Sequence, residues 1–207
     1  MKRTFSPFHD TRISDFAPLN ESLAAAMERV GKYIANLEDA RTRGHGLTLL
    51  GPSGVGKTML ASTVLNEAEQ RGYRIEAIEL ATYVSLRKDQ FSLAQLMKVD
   101  GDDEIVDQYV AKRRHIRSIQ GVLKHSADWV LFDDVGREFP SDSGWNQMDF
   151  FDTVRSRWNR GLPSILTTNH SMAELRDRYT EGLTSLLRES SEIILLDGAD
   201  YRCRTDT

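Results

Sequence analysis

Hydrophobic residues recur along the chain with two different periods, which alternate from one segment to the next. Short apolar or alternating runs predict strands at residues 47–50, 74–80, 129–132, 164–168 and 193–196. A helix is predicted after a capping sequence at 20–22, because the apolar residues that follow recur at helical spacing. They are Leu23, Met27, Val30, Ile34 and Leu37. This alternation predicts an α/β fold with a parallel five-stranded sheet flanked by helices, and ligands beyond the carboxyl ends of the strands.

Length and composition then narrow the class of protein. A chain of 207 residues favours one domain, and we expect residues 1–44, irregular and then helical, to pack on a module spanning 45–207. The single Cys excludes an internal disulfide and favours a reducing, cytoplasmic compartment. No apolar run approaches the roughly 18 residues that a membrane-spanning helix needs. The formal net charge of −4 leaves any nucleic-acid contact to a local basic patch.

A glycine-rich loop joins the first strand to a helix predicted over residues 57 to about 70. It reads Gly51-Pro52-Ser53-Gly54-Val55-Gly56-Lys57-Thr58, which matches G-x-x-x-x-G-K-[ST] at every fixed position. The glycines let backbone N–H groups converge on an anion, and the positive end of the helix reinforces the attraction. An incidental glycine-rich turn does not explain why strand, loop and helix fall in this order. We therefore predict an ATP site in which Lys57 reaches the β- and γ-phosphates and Thr58 binds Mg²⁺.

Two carboxylates, Asp133 and Asp134, follow the third predicted strand. In P-loop nucleotidases one acidic residue at such a strand end orients Mg²⁺, and a second polarises the attacking water. We assign Asp133 to the first role and Asp134 to the second. Without the phosphate loop, the pair could simply cap the next turn. Because aspartate is one methylene shorter than the glutamate more often found in the second position, we expect slow hydrolysis.

Basic residues cluster in the stretch between Asp107 and Asp128, which contains no acidic residue. They are Lys112, Arg113, Arg114, Arg117 and Lys124. Helical spacing of about 100° per residue places three of them on one stripe beside an apolar face. Such a stripe suits the backbone of single-stranded DNA, and it equally suits an ordinary solvated helix face. Arg87 and Lys88 can extend the patch, whereas Phe91 is either a core residue or a stacking platform.

Three motifs together resemble the AAA+ ATPases of the DnaC/DnaI helicase-loader and IstB transposition-helper group. They are Gly51 to Thr58, the run Asp133-Asp134-Val135-Gly136, and the strand Ser164-Ile165-Leu166-Thr167-Thr168-Asn169. The likeness extends from about Arg12 to Arg202. It implies a P-loop NTPase fold of AAA+ type, ATP and Mg²⁺ as cofactors, self-association through the ATP site, and a replicative helicase or a transposase as partner.

The resemblance also implies roles for residues near the end of the chain. Asn169 would be sensor 1, between the two acids and the γ-phosphate, unless it caps the helix that begins at 171–173. Arg202, in the run Gly198-Ala199-Asp200-Tyr201-Arg202, would be sensor 2, unless it is an ordinary surface arginine.

The chain departs from the family at two places. The usual position of the arginine finger holds Leu186, so Arg188, or else Arg176 or Arg178, would have to reach a neighbour's γ-phosphate. A surface salt bridge is the alternative for Arg188. Too few residues precede the phosphate loop for the family's separate helicase-binding domain, so the chain resembles a short version such as phages carry.

These observations predict an ATP-binding and ATP-hydrolysing AAA+ protein that assists DNA replication as a helicase loader and contacts single-stranded DNA. An IstB-like transposition helper and a non-hydrolysing ATP-dependent switch remain open as alternatives. A P-loop kinase is disfavoured because such kinases usually carry an arginine-rich lid, and because the strand ending in Asn169 has no evident task in a kinase.

Overall fold

The computed structural model describes residues 10–18, 20–99, 102–138, 144–198 and 200. The strands are β1 (Gly46–Leu50), β2 (Ile75–Glu79), β3 (Trp129–Asp133), β4 (Ser164–Thr168) and β5 (Ser191–Leu195). The α-helices are α1 (Glu21–Ala35), α2 (Leu37–Arg43), α3 (Lys57–Gln70), α4 (Leu80–Val99), α5 (Asp103–Gly121), α6 (Trp145–Trp158), α7 (Met172–Arg178) and α8 (Glu181–Ser190). All strand pairings are parallel, in the order β2-β3-β4-β1-β5, which confirms the predicted sheet.

The alternation of side chains along each strand builds a hydrophobic core on both faces of the sheet. On β1, Leu47 and Leu49 pack with α1, α2 and α3, whereas Leu50 packs on the opposite face with α4, α6, α7 and α8. On β3, Leu131 joins the first core and Phe132 the second. Because both faces are covered, the central strand β3 has a continuous apolar sequence from Trp129 to Phe132, whereas β2 at the edge of the sheet alternates.

Residues 20–44 form two α-helices where one was predicted. Asn20 caps α1 by accepting a hydrogen bond from the Leu23 N–H at 2.8 Å, as the capping sequence predicts. The break falls at Asn36, whose side-chain amide donates to the Lys32 carbonyl at 2.8 Å and so competes with the backbone of the helix. Buried residues of α1 and α2 belong to the same core as strands β1 and β3.

Helices α4 and α5 form a hairpin inserted between β2 and β3. A π-helical turn, Val122–Ser126, follows α5 and contains Lys124. Because a π turn holds more residues than an α turn, it rotates Lys124 relative to the helix before it. Lys124 therefore lies on a π turn and not on the regular α-helix that the prediction of one stripe assumed.

A buried arginine holds the π turn against the start of the sheet. Arg157 of α6 is fully buried, and burial and the neighbouring Arg41 lower its pKa to about 9. Its guanidinium donates five hydrogen bonds of 2.7–3.1 Å, to Ser164 Oγ and to the carbonyls of Leu123, Ala127, Asp128 and Pro163. Arg157 therefore joins α6 to the π turn and to the residues at the starts of β3 and β4.

The strand order determines where the predicted site residues meet. Strands β3, β4 and β1 are neighbours, so the residues that follow them share one edge of the sheet. None of the described helices combines the length and the apolar composition needed to cross a membrane.

Candidate functional site

The phosphate loop runs from the end of β1 into the first turn of α3. Gly54 and Gly56 have φ angles of 81° and 93°, in the left-handed region where other residues are strained. At Gly51 the space is limiting, because an added Cβ would lie 2.1 Å from the carbonyl oxygen of Leu196. The glycines of the motif are thus required by the conformation of the loop.

Lys57, the first residue of α3, turns its side chain back over the loop and is almost fully buried. Its ammonium donates to the carbonyls of Gly51 at 2.8 Å and Pro52 at 2.6 Å, and to Asn169 Oδ1 at 2.7 Å. Asn169 therefore lies at the phosphate loop, as the sensor role requires. The N-cap of helix α7 is Ser171, which accepts from the Glu174 N–H at 3.3 Å.

Asp133 is buried at the end of β3, where two threonines donate to its carboxylate. Oδ1 accepts from Thr58 Oγ1 at 2.9 Å and from Thr167 Oγ1 at 2.5 Å. Burial raises the pKa of Asp133, and the negative charges of Asp134 and Glu79 act in the same direction, against the two hydroxyl donors. A cation at this position would offset the crowding of negative charge.

The donors fit the predicted magnesium ion. Thr58 and Asp133 bring a hydroxyl and a carboxylate, both hard oxygen donors, within hydrogen-bond distance of each other. Mg²⁺ usually keeps several waters and takes only one or two protein ligands beside substrate phosphates. A site of two oxygen donors next to a phosphate loop meets that requirement.

Asp134 follows in an unusual backbone conformation, with a φ of 52°. Its N–H donates to Thr167 Oγ1 at 2.9 Å, and its carboxylate pairs with Arg137 at 3.1 Å. Glu79, at the end of β2, lies opposite Asp133 in the strand register. Sequence reasoning missed Thr167, Glu79 and Arg137, although Thr167 lies in a polar pair at the end of a strand, which is a weak signal for a site.

The segment after β5 returns to the phosphate loop. The carboxylate of Asp200 lies against Gly54, where an added Cβ would be 1.9 Å from Oδ1. The family-like ending that contains Asp200 is therefore close to the loop. Arg202 lies outside the described residues.

The arginine-finger candidates differ in their surroundings. Leu186, at the family's usual position, is buried in the second core, so α8 turns this position inward. Arg178 lies 3.7 Å from the buried carboxylate of Glu138, and Arg176 pairs with the aspartate that follows it at 3.0 Å. Arg188 is exposed on α8 and forms no ion pair with a residue that the structure describes. Among these arginines, Arg188 has the most freedom to reach another molecule.

The basic stretch divides into paired and unpaired cations. Lys112 pairs with Asp89 at 2.9 Å, and Lys124 lies 3.9 Å from Asp149. Three exposed arginines of α5 form no ion pair with any described residue, and these are Arg113, Arg114 and Arg117. The electropositive surface of α5 therefore depends mainly on the three arginines.

Phe91 is a surface residue of α4, 45% exposed. Its ring contacts Trp145 edge to face at 5.1 Å between centroids, and the Arg87 guanidinium lies over both rings at 5.5 and 5.6 Å. A shallow cavity of about 530 Å³ opens beside these rings and is also lined by Lys88 and Gln95. An exposed aromatic ring beside cations is thus available on the inserted hairpin.

A lysine-bearing phosphate loop, an adjacent buried aspartate and an asparagine on the strand between them define a P-loop nucleotide-binding domain of AAA+ type. The chain belongs to the family described as the NB-ARC domain, which it matches over residues 25–197.

Comparison with known proteins gives a more specific likeness. The chain is 25% identical over 174 residues to the replicative helicase loader DnaI of Bacillus subtilis (strain 168), a match that covers 84% of this chain and 47% of DnaI. It thus spans about half the length of this curated relative. The crystal structure of the DnaC helicase loader matches 91% of this chain and 98% of its own at 25% identity, with a TM-score of 0.65. The resemblance to the DnaC/DnaI group is confirmed.

A third likeness concerns the fold alone. The replication initiator DnaA, in a structure bound to AMPPCP and single-stranded DNA, matches 94% of this chain and 51% of its own. The identity is 23% and the TM-score is 0.63.

Proposed function

We propose that the chain is an ATP-binding, slowly hydrolysing AAA+ protein that loads a replicative helicase during DNA replication in the bacterial cytoplasm. The observation that carries the proposal is the meeting of Lys57, Asn169 and Asp133 at one edge of the sheet. The similarity to DnaI and DnaC over most of the chain supports the loading role.

Binding would begin at Lys57. Its ammonium donates hydrogen bonds to two carbonyls of the loop. The β- and γ-phosphates of ATP would replace these carbonyls as acceptors, because a charge-assisted hydrogen bond is stronger. Asn169 accepts a hydrogen bond from the same ammonium and would contact the γ-phosphate when ATP is bound. Thr58 and Asp133 would hold Mg²⁺, which neutralises phosphate charge when bound.

Hydrolysis would use Asp134 to polarise a water. The Asp134 side chain is one methylene shorter than that of glutamate, and its carboxylate is paired with Arg137. Both features support slow turnover. Arg188 would reach the γ-phosphate of a neighbouring subunit, so that self-association completes the site. Arg202 would act as sensor 2 and contact the γ-phosphate.

The second candidate is an ATP-dependent switch that does not hydrolyse ATP on its own. The burial of Leu186 at the usual finger position favours it, because no guanidinium is delivered from that position. Turnover measured with and without helicase and single-stranded DNA separates the two, since a loader gains hydrolysis from its partners and the switch does not.

We expect an ATP-dependent complex between this chain and the replicative helicase of its host, weakened in Asn169→Ala. Asn169→Ala should keep nucleotide binding but lose the ATP dependence, because the γ-phosphate contact is removed. The complex is measured by co-purification with ATP and with ADP.

Asn159→Ala, at an exposed asparagine that ends α6, is the matched control and should behave as wild type. Recovery of a transposase and no helicase, from the same genome, would replace the loader by a transposition helper.

The contact with single-stranded DNA is proposed for the surface of α4 and α5. The basic residues of this surface are Lys112, Arg113, Arg114, Arg117 and Lys124, of which the arginines carry the unpaired charge. Phosphates would follow the arginines while a base stacks on Phe91, a combination typical of sequence-independent single-strand binding.

We expect the double variant Arg113→Ala/Arg117→Ala to bind single-stranded DNA about tenfold more weakly at 0.1 M salt. Two lost phosphate contacts should also reduce the slope of log affinity against log salt by about 1.4. Both quantities are measured by fluorescence anisotropy with a labelled oligonucleotide. Arg71→Ala/Arg160→Ala removes the same charge from exposed positions elsewhere, and an equal loss in that control would refute a specific patch.

A further inference from the structure

One arginine that no motif singled out contacts two carboxylates of the site. The Arg137 guanidinium lies 3.1 Å from Asp134 Oδ2, and the same nitrogen lies 3.9 Å from Glu79 Oε1. Asp134 is the group proposed to polarise water. Arg137 can therefore hold the carboxylate of Asp134 in an ion pair, and the carboxylate of Glu79 can compete for the same guanidinium.

We propose that Arg137 is a positioning residue that restrains Asp134 before hydrolysis, and that Glu79 draws Arg137 away from it. The inference rests on the proposed ATPase function. In that reaction the water oxygen bonds to the γ-phosphorus, the bond to the ADP oxygen breaks, and Asp134 accepts the proton of the water. A carboxylate held in an ion pair with Arg137 has to leave the guanidinium before it can orient the attacking water, so the pair slows this step.

The carboxylate of Glu79 and the backbone of Asp134 have further contacts. Thr82 donates to Glu79 Oε2 at 3.0 Å, which leaves Oε1 as the oxygen nearest Arg137. The backbone of Asp134 is tied to Thr167 at 2.9 Å. Movement between the two acceptors therefore falls to the arginine side chain.

The backbone around Arg137 is fixed on both sides. On one side, the Gly136 N–H donates to Glu138 Oε2 at 3.0 Å, and the Gly136 carbonyl lies 3.2 Å from a ring nitrogen of His170. On the other side, Glu138 is buried, while the Arg137 side chain is 67% exposed. A fixed backbone with an exposed, long side chain lets Arg137 change partners without moving Asp134.

The restraint is expected to be weak. Ion pairs between exposed groups contribute little, so removing this one should change the rate by about two- to fivefold. A weak restraint can be released by small changes in the surrounding charge.

The test compares kcat, KM and ATP affinity in four variants. Arg137→Ala should raise kcat two- to fivefold with unchanged ATP affinity, and Arg137→Lys should stay close to wild type because it keeps the cation. Glu79→Gln should lower kcat in the wild-type background, since Arg137 then loses its second acceptor. In the Arg137→Ala background Glu79→Gln should have no effect.

Arg43→Ala is the matched control, because it breaks an exposed ion pair with Asp39 far from the site and should leave kcat unchanged. An unchanged or lowered kcat in Arg137→Ala overturns the inference. An equal fall from Glu79→Gln in both backgrounds overturns the role of Glu79, because it would then act on the bound cation. A wild-type chain without ATP affinity refutes the proposed function itself. ATP binding without turnover in any variant refutes both the hydrolysing function and the restraint, and favours the switch, whereas wild-type turnover with an unchanged kcat in Arg137→Ala refutes the restraint alone.

Discussion

Lys57→Ala is expected to weaken ATP binding on the order of 100-fold, the largest effect of any single change at the site. The Lys57 ammonium is nearly buried at the phosphate loop and would make charge-assisted hydrogen bonds to two phosphates. Two such bonds, each worth about 1.5 kcal/mol or more, correspond to this loss. Titration calorimetry with ATP measures the change directly.

Lys98→Ala is the matched control for this prediction, because Lys98 is an exposed lysine on α4, away from the loop. Thermal unfolding of both variants separates a loss of binding from a loss of folding. Equal ATP affinity in wild type and in folded Lys57→Ala would show that the loop is not a nucleotide site.

Arg157→Leu is expected to lower the free energy of unfolding by about 3–5 kcal/mol, the largest effect on stability. The substitution leaves three buried carbonyls, the part-buried carbonyl of Asp128 and the Ser164 hydroxyl without the donor that holds them. Arg157→Lys should lose roughly half as much, because an ammonium has three donors where the guanidinium uses five bonds. Urea unfolding at constant m-value provides the measurement.

Arg155→Leu is the control for stability, since Arg155 is an exposed residue of the same helix and should change the value by less than about 0.5 kcal/mol. Arg157 contacts the starts of β3 and β4, opposite the phosphate loop, so the folded fraction of its variants should bind ATP normally. A wild-type stability in Arg157→Leu would contradict the structural role.

The phosphate loop and the elements on either side of it were predictable because their signals are local. Glycine positions, the lysine and the flanking strand and helix all fall within about two dozen residues of each other in the sequence, and α3 begins at Lys57 as predicted. The strand at 164–168 was predicted with its bounds, whereas the last strand, predicted at 193–196, is observed at Ser191–Leu195. An apolar run predicts the presence of a strand more reliably than its first and last residues, because the ends of a strand depend on pairing with a neighbouring strand.

The contacts of the acidic residues could not be predicted in the same way. Thr167 donates to Asp133 from another strand, and Glu79 reaches the site only because β2 pairs with β3 in that register. The exposure of Phe91 also remained open, since helical spacing does not tell which face of an inserted hairpin is covered.

By itself the sequence determined the class of fold, the phosphate loop and the two acids, because backbone conformation and side-chain chemistry over a few residues are enough for these. Only the tertiary structure decided that Asn169 meets Lys57, that Arg137 lies between Asp134 and Glu79, and that Arg157 joins α6 to the π turn. The physical reason is the parallel sheet. Its crossover connections bring together residues that are about a hundred positions apart in the sequence. The order and register of the strands determine which residues come into contact, and both depend on the packing of the whole chain.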